Sequence, residues 1–319
     1  MASPNTSYSS IAATTLENRS RRIADNVTRN NPLLARLQER GKIRPASGGT
    51  KLLETISYAE NPNFGWYTGY DLLPIAATEV LTNAEYPWKQ AACPVTMSGL
   101  EMLQNTGRDA IFDLLEEKIA NAEATMVNQL STAIYSDGTG YGGKQLTGLG
   151  AAVVASPTTG TYGGIDRATW TFWRNKTTGA LGAQTADTIL PNMHALYAQL
   201  LRGADKPDLI VMGSTLWGVL MEATTPMQSF TNTNQANLGF PSVKFMGADV
   251  VLDGNAPATA AYFLNTNYIS LRPHRDRNMV TLSPDKRQQI NQDAVVTILA
   301  WAGNLTMSGA QFQGYFQGS

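Results

Sequence analysis

Apolar positions recur most regularly between Gly107 and Tyr135. Ile111, Leu115, Ile119, Ala122, Met126, Leu130 and Ala133 follow one another at spacings of 4, 4, 3, 4, 4 and 3 residues, which lays a single continuous stripe along an α-helix. Thr106 is placed to cap it. Asp109, three residues on, fits a variant of the capping box and the positive end of the helix dipole, and Asp137-Gly138 supplies the stop. At about 1.5 Å per residue the helix is roughly 40 Å long, more than the ~30 Å across a small domain. It reads as a spine.

The pattern differs on either side of that helix. From Gly48 to Gly99 short apolar or alternating runs, LLETISY, EVLT and CPVTMSG, flank the turn-rich ENPNFGWYTGYDLLP, which predicts a long two-stranded excursion. A hairpin without a covering layer is marginal alone, so Trp66, Tyr67, Tyr70 and Trp88 must lie on something, either the chain's own body or an adjacent subunit. After the spine comes a Gly/Thr-rich stretch to about Thr185, a helix near Ala186 to Arg202 stopped at Gly203, a strand in PDLIVMGS and a helix in TLWGVLMEA. This alternation predicts a compact α/β lobe. Strands follow at Val243 to Leu252, at Ala261 to Leu271, in AVVTILAW and in GAQFQGYFQ, which makes the chain α+β as a whole. Before residue 48 the sequence is helix-prone, with interruptions expected at Pro32 and Gly41.

Composition sharpens this outline. At 319 residues the chain is long enough for about two packed units. Charged residues make up only 15% against a typical ~25%, so the surface is weakly charged and suited to assembly. A net charge of −1 argues against a globally basic nucleic-acid binder and leaves little repulsion between copies. It is a cancellation: residues 1–53 carry +6, residues 54–137 carry −9 and residues 138–319 carry +2. Arg19, Arg21, Arg22, Arg29, Arg36, Arg40, Lys42 and Arg44 make the first segment a candidate partner for phosphate or for an acidic neighbour. Cys93 is the one cysteine and the two histidines lie 80 residues apart, so neither a disulfide framework nor a thiolate metal cluster is expected. The N-terminal MASPNTSYSS lacks the pattern of a secretory signal, and no run approaches 18 apolar residues. The expectation is a soluble protein with no membrane partner.

Chemical motifs are present in letter but not in context. Gly138 to Gln145, GTGYGGKQ, matches two phosphate-loop templates, yet a long helix precedes it and Gln145 stands where a magnesium-binding hydroxyl belongs. His274-Arg275-Asp276 spells a kinase catalytic triplet without its companions. His194 falls inside a helix pattern, and Asp113, Glu116, Glu117 and Glu123 fit a solvated helix face. No enzyme activity, catalytic residue, cofactor or metal is expected.

Several blocks resemble one family, and they run nearly end to end: YSSIAATTLENRS and ADNVTRNNPLLARL, the whole of QAACPVTMSGLEMLQNTGRDAIFDLLEEKIANAEATMVNQLSTAIYSDGT, YGGIDRATWTFWRN at Tyr162 to Asn175, PDLIVMGSTLW, VKFMGADVVLDG and ILAWAGNLTMS. The sequence is similar to the major capsid proteins of tailed bacteriophages, whose Hong Kong 97-like fold also builds encapsulins and herpesvirus coats. That resemblance implies an N-terminal arm (1–47), an extended two-stranded loop (48–104), a peripheral domain with the spine helix (105–185), an axial domain (186–275) and a return to the peripheral domain (276–319). It implies a structural subunit forming pentamers and hexamers of an icosahedral head around double-stranded DNA, assembled in the bacterial host cytoplasm and resident in the virion. Further implied partners are a separate scaffolding protein, a portal and decoration proteins. On this reading Trp66, Tyr67, Tyr70 and Trp88 anchor the loop to a neighbour, and Arg19, Arg21, Arg22 and Arg29 face DNA or an adjacent subunit. One subgroup of the family crosslinks through a Lys–Asn isopeptide bond. Here Ala294 stands where the Asn would fall, with Asn291 displaced, so no crosslink is expected. Three other readings remain: an encapsulin-like compartment, a nucleotide-binding α/β enzyme using the Gly138–Lys144 loop, and a phage decoration or tail component, which the spine helix and split domain plan disfavour.

Overall fold

The computed structural model describes residues 31–104, 114–224, 242–278, 280–281, 287–289 and 292–318. In chain order these form α1 (Pro32–Glu39), β1 (Lys51–Ser57), β2 (Leu81–Pro87), β3 (Lys89–Ser98), α2 (Gly99–Gln104), α3 (Leu114–Ala133), β4 (Thr161–Tyr162), β5 (Ile165–Asp166), β6 (Lys176–Leu181), α4 (Ala186–Leu200), β7 (Leu209–Met212) and α5 (Ser214–Thr224). Then come β8 (Ser242–Phe245), β9 (Ala248–Leu252), β10 (Ala260–Leu264), β11 (Ile269–Pro273), β12 (Val280–Thr281), β13 (Arg287–Gln289), β14 (Gln292–Met307) and β15 (Gly314–Gly318). The architecture is α+β, on two main sheets.

The spine is α3. Its stripe faces inward at Ala122, Met126 and Ala133, with Leu130 packed partly against the same core. Thr106, Asp109 and Ile111 lie outside the described residues. The helix ends at Ala133, and the chain doubles back so that Leu149 N–H donates to the Ile134 carbonyl at 2.6 Å. Gly148 is required there, because a Cβ would stand 2.2 Å from that carbonyl oxygen. Tyr135, just past the helix, is buried and donates to the Asp253 carboxylate at 2.6 Å, tying the spine to the end of β9.

Against the spine lies a sheet centred on β14, whose 16 residues exceed the predicted AVVTILAW. It pairs with β3 from Ala294↔Ser98 to Gly303↔Lys89 and with β11 from Ile269↔Met307 to Pro273↔Gly303, all antiparallel. The second sheet has the order β6-β15-β10-β7-β9-β8 and is covered by α4 and α5 around a separate core of Ile189, Met193, Leu196, Leu216, Phe263 and Phe316. β7 and β10 are buried at every position, as strands enclosed in a core are.

Three predicted boundaries shift. Ala261 to Leu271 is not one strand: a turn at Thr266–Tyr268, with Asn265 accepting from Asn267 N–H, breaks it and sends β11 into the spine's sheet. Segment 276–319 does not stay with that sheet, since β15 enters the six-stranded sheet between β10 and β6. β6, expected with the spine, belongs there too. Pro32, an expected interruption, follows the extended Asn31 and marks a helix start. It is the first residue of α1, where a missing N–H costs nothing, and Asn31 caps the helix by accepting from Leu34 N–H at 3.0 Å.

Candidate intersubunit surfaces

The extended loop begins at a tightly built base. β1 and β2 pair antiparallel from Lys51↔Pro87 to Ser57↔Leu81, and Leu52, Ile56, Ala84 and Tyr86 are buried. Tyr86 donates to the Met307 carbonyl at 2.7 Å and meets Tyr162 edge-on, while fully buried Trp173 stacks on Tyr162 and donates to its carbonyl at 2.8 Å. Burial, reinforced by the neighbouring Tyr162, pushes the Tyr86 hydroxyl well above the ordinary tyrosine range. It stays neutral and remains a donor. On the other strand Glu54 accepts from Arg272 at 2.8 Å and from Thr306 at 2.9 Å. The last anchored residue is Tyr58, packed edge-on to Trp170 and near Phe172.

Further out, none of the described residues covers the large apolar side chains of the loop. Trp66, Tyr70, Leu72 and Ile75 are each more than nine-tenths exposed, and Phe64, Tyr67 and Leu73 are exposed as well. Phe64 and Trp66 touch only edge to edge, with centroids 5.7 Å apart. Burying a large apolar side chain stabilises by about 1.5–3 kcal/mol, and seven such residues left exposed within one short excursion are a concentration of the kind that marks an interaction site. Residues 58–80 also carry Glu60, Asp71 and Glu79 and no basic residue.

Trp88 does not share that environment. It is partly buried, packs against the chain's own core, donates to the Gly49 carbonyl at 2.8 Å and lies 5.2 Å from the His274 ring. Within the chain it sits at the foot of the loop, apart from Trp66, Tyr67 and Tyr70. The tip also carries Phe64, Leu72, Leu73 and Ile75, which stand in the same FGWYTGYDLLPI run.

An apolar groove of about 430 Å³ opens between α3 and β3, lined by Ala91, Cys93, Met126, Leu130, Tyr141 and Trp301, with Lys89 and Lys144 in its wall. Its residues come from four separate segments, which is why no sequence pattern disclosed it. Tyr141, Gly142 and Gly143 all take left-handed φ values of 54°, 67° and 78°, so the Gly138–Lys144 stretch is a turn closing one side of this groove. Gly143 N–H is already spent on the Thr139 carbonyl at 2.9 Å. A phosphate loop needs a strand before it and a helix N-terminus after it; here α3 precedes, and the nucleotide-enzyme reading loses its site.

The basic arm divides. Arg19, Arg21, Arg22 and Arg29 lie outside the described residues. Arg36 on α1 and Arg40 just past its end turn inward: Arg36 reaches Asp249 at 3.0 Å and Asp208 at 3.7 Å, and Arg40 reaches Asp208 at 3.2 Å. Part of the positive charge read from the sequence therefore neutralises the chain's own carboxylates. His194 bonds within its helix, to the Leu190 carbonyl at 2.7 Å, and packs on Phe245.

No protein-family model matches this sequence, and no curated protein does. Solved structures match over nearly the whole chain. The capsid asymmetric unit of cyanophage A-1(L) is similar at TM-score 0.70 and 16% identity, covering 94% of this chain and 96% of that one. The capsid of an empty GTA particle matches at TM-score 0.62 and 15% identity, covering 95% and 94%. The SrpI encapsulin of Synechococcus elongatus matches at TM-score 0.56 and 10% identity, covering 97% and 95%. The chain has the fold of these shell proteins.

Proposed function

We propose that this chain is the major capsid protein of a tailed bacteriophage, a structural subunit that assembles into pentamers and hexamers of an icosahedral head enclosing double-stranded DNA. The observation that carries this reading is the bare loop tip on a buried base, in a chain with a shell-protein fold. A monomer has no use for seven exposed large apolar side chains at the end of a firmly mounted excursion. In an assembly the tip of one copy lies on the next, and Phe64, Trp66, Tyr67 and Tyr70 leave water there. The groove between α3 and β3 is a matching receiver, apolar within and carrying Lys89 and Lys144 opposite the loop's Glu60, Asp71 and Glu79.

The work of such a subunit is mechanical. Each contact can be modest, because closure of a shell multiplies valency. Arg19, Arg21, Arg22 and Arg29 face packaged DNA or an acidic neighbour in this reading. A separate scaffolding protein, a portal and decoration proteins complete the head, which forms in the host cytoplasm and is found in the virion. Isopeptide crosslinking is not part of it: Ala294 sits in β14 opposite Ser98, and Asn291 lies outside the described residues.

Negative-stain microscopy of the purified chain, with and without its scaffold, tests the proposal. Closed or aberrant shells are expected, and a persistent monomer overturns it. The likeness to SrpI favours a second reading, a compartment holding protein cargo. Absorbance separates the two: particles rich in nucleic acid absorb strongly near 260 nm, and cargo-filled ones do not.

A further inference from the structure

The triplet His274-Arg275-Asp276 has no place in a kinase-like site, but the fold gives it another setting. Residues 43–46 run parallel to the end of β11, bridged at Ile43↔Leu271 and Ala46↔His274. Ala46 N–H donates to the Pro273 carbonyl at 2.9 Å, Arg275 N–H returns a bond to the Ala46 carbonyl at 2.9 Å, and His274 N–H donates to Ala302 at 2.7 Å. These bonds fix the backbone on both sides of an open cavity of about 420 Å³, lined by Pro45, Ser47, His274, Arg275 and Asn278.

The lining is a donor set. Arg275 supplies a guanidinium, Ser47 a hydroxyl and Asn278 an amide N–H. His274 Nδ1 accepts from Asp276 N–H at 3.1 Å, so in the neutral ring Nε2 carries the proton and is the fourth donor. No carboxylate lines the cavity. Arg275 and the nearby Arg44 and Arg277 pair with no carboxylate among the described residues, which leaves their charge available to a ligand. A convergence of donors around an unpaired guanidinium suits an oxyanion with several acceptor atoms.

The geometry points to a phosphate-binding pocket at Ser47, His274, Arg275 and Asn278, flanked by Arg44 and Arg277. Its ligand is a phosphate group, carried on a nucleic-acid backbone or free in solution. The inference stands independently of whether the chain builds a shell.

Carbethoxylation of histidine, followed by mass spectrometry of the full chain, reads the site directly, because His274 and His194 are the two histidines and His194 serves as internal control. A short DNA duplex and inorganic phosphate are the two probes, in a phosphate-free buffer. Each is expected to slow modification of His274 several-fold and to leave His194 unchanged, and Arg275→Gln is expected to abolish that protection. For the duplex, Arg275→Gln also lowers the slope of log affinity against log salt by about 0.9, the loss of one phosphate contact, while Lys244→Gln, an exposed cation on β8, leaves His274 protection intact. Protection by inorganic phosphate alone supports the pocket and assigns it to free phosphate. Absence of protection by both probes, or protection that survives Arg275→Gln, overturns it.

Discussion

The two ends of the extended loop are made of similar residues and behave oppositely. At the base, Tyr86, Tyr162 and Trp173 interlock, with the Tyr86 hydroxyl and the Trp173 N–H each bonded to fixed backbone groups. At the tip, Trp66, Tyr67 and Tyr70 are no less aromatic and touch almost nothing of their own chain. Side-chain type therefore does not separate a core aromatic from an interface aromatic. What separates them is whether a second layer exists within the same chain: β14 and the Tyr162–Trp173 segment provide one for the base, and none of the described residues does so for the tip.

That contrast can be broken most directly at Trp173. Trp173→Ala removes the stack beneath the base and is expected to cost about 3–5 kcal/mol, read as a lower denaturant midpoint of the subunit. A loss below 1 kcal/mol would mean the base is not the anchored end. Glu54→Gln comes next. It weakens a half-buried pair with Arg272 and is expected to cost about 1–3 kcal/mol, with Arg272→Met added to the variant recovering part of the loss if the pair is what matters.

At the tip the prediction reverses. Trp66→Ala and Tyr70→Ala should leave subunit stability within about 0.5 kcal/mol, as for surface positions, yet lower particle yield and heat resistance. If particles form unchanged, the tip is not a contact. The smallest effect concerns Glu101, where β3 turns into α2. Burial works to raise its carboxyl, but the Ser98 N–H and hydroxyl and the Lys118 ammonium outweigh it, so the pKa lies below the ordinary glutamate value. A lowered pKa contributes stability above the unfolded-state value and loses it as pH falls through the folded-state value. Glu101→Gln should therefore be slightly less stable than wild type at neutral pH, with the gap closing in acid. A gap independent of pH would refute the assignment.

Much of the architecture was legible because it is local. The stripe from Ile119 to Ala133 is periodic in the chain, and the loop's turn-rich centre between alternating runs announces an excursion. The setting of Trp88 was not legible, because nothing in its neighbourhood signals Gly49 and His274, which tertiary structure brings beside it. The inward pairing of Arg36 and Arg40 was hidden for the same reason, since Asp208 and Asp249 lie more than 160 residues away. The four-segment groove and the donor pocket were out of reach too, as each exists only where distant segments converge.

The position of β15 bears on how the molecule is made. It is an interior strand of the six-stranded sheet, yet it follows β10 by some fifty residues, after the chain has visited the other sheet. During synthesis from the N-terminus the six-stranded sheet waits, with β6 lacking its one partner among the described residues and one side of β10 open, until Gly314 to Gly318 emerge. A nascent chain stopped before Gly314 is expected to leave α4 cleavable by protease, because Phe316 is missing from beneath it. A chain without β15 thus carries the mark of its own incompleteness, an α4 with no strand beneath it.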